Sequence, residues 1–159
     1  VGVNKIVVRG HHNLVHAHNV YEPTSILSAQ YSLPFNVGMC LLGDIEDPSP
    51  YLSDEILNNQ AVIALGRKVS TEMDDEIESL FPAQFGGKVD IYLKNGQVLQ
   101  QAILHQKGSA GNPFTPEELY RKYYKLAITV IPEATAEELG KRINRIDTFA
   151  DIDELYKGL

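Results

Sequence analysis

The chain has 159 residues, 43% of them apolar and 22% charged, with a formal net charge of −7. That length predicts one domain, or one domain plus an appendage, with a core large enough to need no disulfide or metal staple. Near-average apolar and charged fractions exclude a disordered tail, a collagen-like rod and a coiled coil, and the short apolar runs predict no membrane span.

The chain opens on a strand, Val3 to Arg9, with no lead-in and no charged-then-apolar leader; Val1 in place of an initiator Met suggests a segment of a longer polypeptide. A His-rich loop, His11 to His18, follows. A helix is expected over about Ser25 to Leu42, stopped by Gly43; Pro34 inside it means a true start near Ser32 or a bend there. Asp44 to Tyr51, with its acids and prolines, reads as an exposed loop. Ser53 can cap a short helix through Asn58, and Gln60 to Gly66 makes another helical turn.

Val69, Thr71 and Met73 alternate with polar neighbours, as a strand does. Asp74 to Phe81 reads as a short amphipathic helix ended by Pro82. Val89 to Leu93 and Val98 to Leu104 flank Asn95-Gly96, a hairpin signal in which both turn positions are expected to take positive φ. Thr115-Pro116-Glu117-Glu118 is a capping box with Pro at the first helical position. Leu119, Tyr123, Leu126, Ala127 and Val130 then share a face that Pro132 closes. Thr135-Ala136-Glu137-Glu138 reads as a second capping box, and Asp151 to Leu159 as a final short helix. The expected fold is α+β: antiparallel hairpin-joined strands packed with helices over residues 1–114, then a C-terminal helical tail over 115–159.

Few residues signal chemistry. No Lys/Arg run exceeds two residues, so no footprint for nucleic acid is visible. Cys40 is alone, which excludes an intrachain disulfide and fits a reducing, cytoplasmic compartment; its apolar neighbours predict that it packs. His12 and His16 would be neighbouring metal ligands on a helix. Their segment instead follows a strand and holds Asn13 and Asn19 but no carboxylate. It is expected to be a polar loop without metal, one of whose histidines is a candidate acid or base. Gly108, Gly111 and Asn112, in the turn ahead of the capped helix, are candidates for holding an anion on backbone N–H groups; the plainer reading is a loop that aims the helix. The acid pairs Asp74-Asp75, Glu117-Glu118 and Glu137-Glu138 are read as first-turn helix caps. Tyr120, Tyr123 and Tyr124 are read as a half-buried helix face.

One longer stretch says more. Ser28-Ala29-Gln30-Tyr31-Ser32-Leu33-Pro34-Phe35, with Gly38 and Leu41-Leu42-Gly43, resembles the Ala-Gln-(Phe/Tyr)-Ser-Leu-Pro-Tyr helix of the MmgE/PrpD family, the relatives of 2-methylcitrate dehydratase. Leu65-Gly66-Arg67-Lys68-Val69 resembles that family's Leu-x-x-Lys-Val. Lys107-Gly108 with Asn112-Pro113-Phe114-Thr115, and Glu117-Glu118-Leu119 with Lys122, follow in the family's order. The resemblance covers most of the chain and implies its C-terminal lid region.

The resemblance implies cofactor-independent lyases and isomerases of small polycarboxylates, a homodimer, and, for the dehydratases, propionate metabolism. It implies a large helical domain upstream that carries the main acid/base histidines and lysines. A lid then closes over the site, and helices return to that missing domain. Gln30, Tyr31, Ser32 and Phe35 are the residues it puts near substrate, against the plainer reading that they cap and pack the helix. Phe35 stands where many members carry Tyr, which removes a hydroxyl. The expected reaction is elimination of water from a hydroxy-polycarboxylate. An epimerase or decarboxylase of the same family is the related alternative, and a stand-alone α+β binding or dimerisation module is the different one.

Overall fold

A computed structural model describes residues 2–43, 47 and 49–158. They form two compact units, one of residues 2–43 and 50–113, the other of 114–158 with Asp47 and Ser49. The chain is α+β. Asp44, Ile45, Glu46 and Pro48 of the expected acidic loop lie outside the described residues, as do Val1 and Leu159.

The first unit is built on four strands, β1 (Val3–Gly10), β2 (Val69–Met73), β3 (Gly87–Leu93) and β4 (Val98–Ile103), in the order β2-β1-β3-β4. The expected antiparallel pairing holds for β1 with β3 and β3 with β4, whereas β1 and β2 run parallel, Ile6 beside Val69. Hairpins force antiparallel neighbours, but the long helical connection from β1 to β2 permits a parallel crossover. Ile6, Val8 and Val69 form a buried cluster on which Leu14, Leu33, Val37, Val89 and Ile91 pack. The β3–β4 hairpin is present, but only Gly96 has positive φ, at +86°. The Gly96 N–H donates to the Leu93 carbonyl and the Leu93 N–H to the Gln97 carbonyl. That is the longer hairpin loop in which a single glycine takes the left-handed position.

The opposite sheet face sets a polar network beside the buried Val7. Arg9 Nη1 lies 2.5 Å from Asp90 Oδ2, and Gln100 Nε2 donates to Asp90 Oδ1 at 2.9 Å. These bonds hold the Asp90 carboxyl below the usual carboxylate range. Beyond β2, Asp74 caps α5 (Asp75–Leu80) by accepting the Ile77 N–H and also binds Lys88 Nζ at 2.9 Å.

Four further helices fill the β1-to-β2 connection: α1 (His12–Ala17), α2 (Ile26–Gln30), α3 (Leu33–Leu42) and α4 (Gln60–Gly66). The expected His-rich loop is therefore a helix, because Leu14 finds the sheet's apolar face and His12 is tied to α5. The single expected helix around Pro34 is two, broken at Tyr31 and Ser32. Ser25 Oγ caps α2, Ser32 Oγ caps α3, and Pro34 occupies the first turn of α3, where no helical N–H is missed. Ser53 and Asn59 cap the 3₁₀ turn Asp54–Asn58 and α4. Ala29, Phe35 and Val62 form the second buried cluster, where α3 and α4 meet.

The second unit consists of α6 (Pro116–Ala127) and α7 (Glu133–Ile143), with 3₁₀ turns at Ile146–Thr148 and Ile152–Leu155. The Thr115/Glu118 capping box is formed on both sides. The expected Thr135 box is not, because α7 begins directly after Pro132, which presets an entering φ. Glu137 and Glu138 therefore sit in mid-helix, and Glu138 pairs with Arg142 at 3.0 Å. In place of a final helix, Asp151 and Glu154 cap the second 3₁₀ turn. Gly140 lets the tyrosines of α6 approach α7: a Cβ there would lie 2.8 Å from Tyr120. Tyr123 Oη donates to the Ala136 carbonyl and Tyr124 Oη to Glu133, and that second bond, ahead of desolvation and the carboxylate's charge, pushes the Tyr124 phenol up to about 12. Of the expected apolar face only Tyr123 and Ala127 are partly buried; Leu119, Leu126 and Val130 are exposed.

Candidate active site

The break between α2 and α3 lies at a recess of about 220 Å³ lined by Leu14, His18, Gln30, Tyr31, Leu33 and Asn36. His18 closes α1, and its carbonyl accepts the Leu33 N–H at 2.9 Å, which joins the end of α1 to the start of α3. Its Nδ1 lies 3.0 Å from the Tyr31 carbonyl oxygen, and its ring stacks on the Tyr31 ring at 6.0 Å and 14°. A carbonyl can only accept, so Nδ1–H is the donor, and Nε2 is the ring nitrogen that this bond leaves unused. Tyr31 is 62% exposed, so its phenol is open to a ligand.

Asn36 fixes the turn. Its Nδ2 reaches the carbonyls of Ala29, Gln30 and Ser32 at 2.7–3.0 Å, and its Oδ1 accepts from the Tyr51 hydroxyl. The Gln30 carbonyl at the end of α2 gains a donor in this way, while those of Ala29 and Ser32 also accept the Ser32 and Asn36 backbone N–H groups. With the backbone clamped, the Gln30 and Tyr31 side chains project from a rigid corner.

Of the four candidates on this segment, Gln30 and Tyr31 line the recess. Ser32 and Phe35 are fully buried: Ser32 Oγ accepts the Phe35 N–H at 3.1 Å and donates to the Val20 carbonyl, and Phe35 packs against Val62. The Gly108, Gly111 and Asn112 turn contributes nothing to this recess. Gly108, at φ +92°, donates its N–H to the Asn112 carbonyl, and the Asn112 N–H donates to Ser109, so both amides are spent within the turn. Gly111 is needed there because a Cβ would meet the His105 ring at 2.5 Å. Asn36 was missed by sequence reasoning. Its one signal is a lone polar residue in the apolar run of α3.

The histidines disperse. His12 Nδ1 pairs with Glu78 Oε1 at 2.7 Å, and its backbone N–H reaches Glu78 Oε2. Those two bonds, the backbone one first, hold the Glu78 carboxyl low. His16 is exposed. Among the described residues no group of three or more His, Cys, Asp or Glu could hold a metal. Cys40 is exposed on α3 rather than packed, because it lies on the side away from α4; residual desolvation raises its thiol pKa, the reverse of an activated nucleophile.

His11 is buried, stacked on Phe81 at 4.2 Å and edge-on to Phe85 at 5.6 Å, and its Nδ1 has no partner among the described residues. Burial, then the neighbouring His12, lowers its pKa from 6.5, against a smaller pull from Glu78. The unfolded chain therefore binds a proton that the folded one resists. The His11 contribution is whole above 6.5 and is lost as pH falls below that value. His11→Phe should flatten the fall in urea midpoint between about pH 6.5 and 5, leaving the carboxylate-driven loss at lower pH. An unchanged slope in that window would refute the assignment.

A family model described as the MmgE/PrpD C-terminal domain matches residues 2–147. No curated protein matches the chain. Among the described residues no helix is long and apolar enough to cross a membrane.

Proposed function

The chain belongs to the MmgE/PrpD family through its C-terminal domain, and from that premise we propose that it is the lid part of a hydro-lyase acting on a small hydroxy-polycarboxylate. The observation that carries this reading is the recess in which His18, Gln30 and Tyr31 meet. Elimination of water needs a base for the proton α to a carboxylate, an acid for the departing hydroxide and donors for the carboxylates. His18 has a ring nitrogen available for proton exchange, Tyr31 an exposed hydroxyl able to give a proton, and Gln30 an amide that can donate to a carboxylate. The main base and the cationic clamps of the family are expected on the upstream helical domain, with this part excluding water as it closes. A homodimer is part of the same proposal.

The test uses the full-length parent. Ultraviolet absorbance of the new carbon–carbon double bond is followed over 2-methylcitrate, citrate and related hydroxy acids. A rise with one substrate supports dehydration and names its class. A flat trace from well-folded protein overturns the dehydratase reading in favour of an epimerase, a decarboxylase or a non-catalytic relative.

A further inference from the structure

The second unit holds a different recess. It measures about 360 Å³ and is lined by Arg142, Arg145, Phe149, Glu154 and Lys157. Three of these five side chains are cationic on a chain whose net charge is −7. Such a local reversal of sign concentrates anions even when the whole molecule repels them.

The three cations are not equivalent. Arg142 is structural: Nε pairs with Glu138 at 3.0 Å, and Nη1 reaches the carbonyls of Glu154, Leu155 and Lys157 at 2.7–3.4 Å. It staples the final 3₁₀ turn back onto α7 and thereby forms one wall. Its charge is answered by Glu138, which also feels Arg145 and Lys141 at longer range. Arg145 and Lys157, by contrast, form no ion pair among the described residues, although Glu154 lies in the same recess. Glu154 is itself occupied, its Oε1 accepting the Ala150 and Asp151 N–H groups at 3.2 and 3.3 Å. The Arg145 guanidinium lies 5.9 Å from the Phe149 ring centroid, a contact that restricts its rotamers without using its N–H donors.

We propose that this recess binds a small-molecule oxyanion, a phosphoryl or carboxylate group, between Arg145 and Lys157, with Phe149 as the apolar wall. Arg145 supplies a planar fork matched to two oxygens, and Lys157 a compact point charge. The volume falls at the small end of ligand pockets, which fits a small metabolite and not a dinucleotide.

Calorimetric titration of the full-length parent with pyrophosphate and with citrate tests it, the binding lost in Lys157→Gln being that assigned to this recess. Saturable one-site binding of at least one probe is expected, weakened about tenfold or more by Arg145→Gln and by Lys157→Gln. Lys141→Gln removes an equal charge from α7 outside the recess and should leave affinity unchanged. Pyrophosphate alone would identify a phosphoryl ligand, citrate alone a carboxylate one. Absence of saturable binding by either probe overturns the site. So does equal weakening by Lys141→Gln, which would mean diffuse charge attraction. Lys157 makes no side-chain bond among the described residues, so Lys157→Gln keeps the test decisive if Arg145→Gln fails to fold.

Discussion

Replacing His18 by Gln in the intact parent is expected to lower kcat by about 10²- to 10⁴-fold, the range over which a positioned acid or base contributes. The physical basis is the hydrogen bond between Nδ1 and the Tyr31 carbonyl, with the ring stacked on Tyr31. It fixes one tautomer and one ring plane, so that under the proposed function the remaining nitrogen would meet substrate without reorganisation. Gln can still donate to that carbonyl but cannot shuttle a proton. The loss should therefore appear in kcat and kcat/KM together, with the unfolding midpoint near that of the wild type. His16→Gln, on the exposed side of α1, should change neither. If His18→Gln raises only KM, or costs stability and not rate, His18 is a wall of the recess and not a proton carrier.

Local signals were legible in the sequence wherever a short-range rule decided the outcome. Ser53, Thr115 with Glu118, and Asn95-Gly96 act within four residues of themselves, and the structure uses them as caps and turn. The failures needed distant partners. His12 looked like part of a polar loop because its carboxylate, Glu78, is 66 residues away, and a strand, four helices and a crossover must form before they meet. The parallel pairing of β1 with β2 depends likewise on that crossover. Thr135 failed for a different reason: Pro132 competed as a helix start and won by three residues.

The candidate site was legible in part for the same reason. Gln30 and Tyr31 precede a Ser-x-Pro cap that must break the helix, and residues at a helix break have side chains aimed away from a continuous stripe. Ser32 and Phe35 lie beyond the break, where one is consumed by capping and the other by burial. His18 reaches the recess only because α1 forms, and α1 forms because Leu14 finds the sheet. No local pattern in His11 to His18 distinguishes the one histidine that lines the recess from the three that do not.

That rigid corner depends on the close approach of α3 to α4 at Gly38, and Gly38→Ala is expected to destabilise the first unit by about 2–3 kcal/mol. A Cβ at Gly38 would lie 2.5 Å from the Val62 carbonyl oxygen, a backbone atom that no rotamer change can move. Helix propensity works the other way, since Ala is favoured over Gly by about 1 kcal/mol in a helix interior. A net loss therefore measures the overlap itself. Relief requires α3 and α4 to separate, which loosens Phe35 between Ala29 and Val62 and tilts the start of α3 that anchors His18. The urea midpoint should fall with the slope unchanged. If the full-length parent has the proposed activity, its kcat should fall further than the loss of folded protein explains, because the recess shares the displaced helix. A midpoint at or above wild type would mean that the helices already have room, and that Gly38 is not what sets their distance.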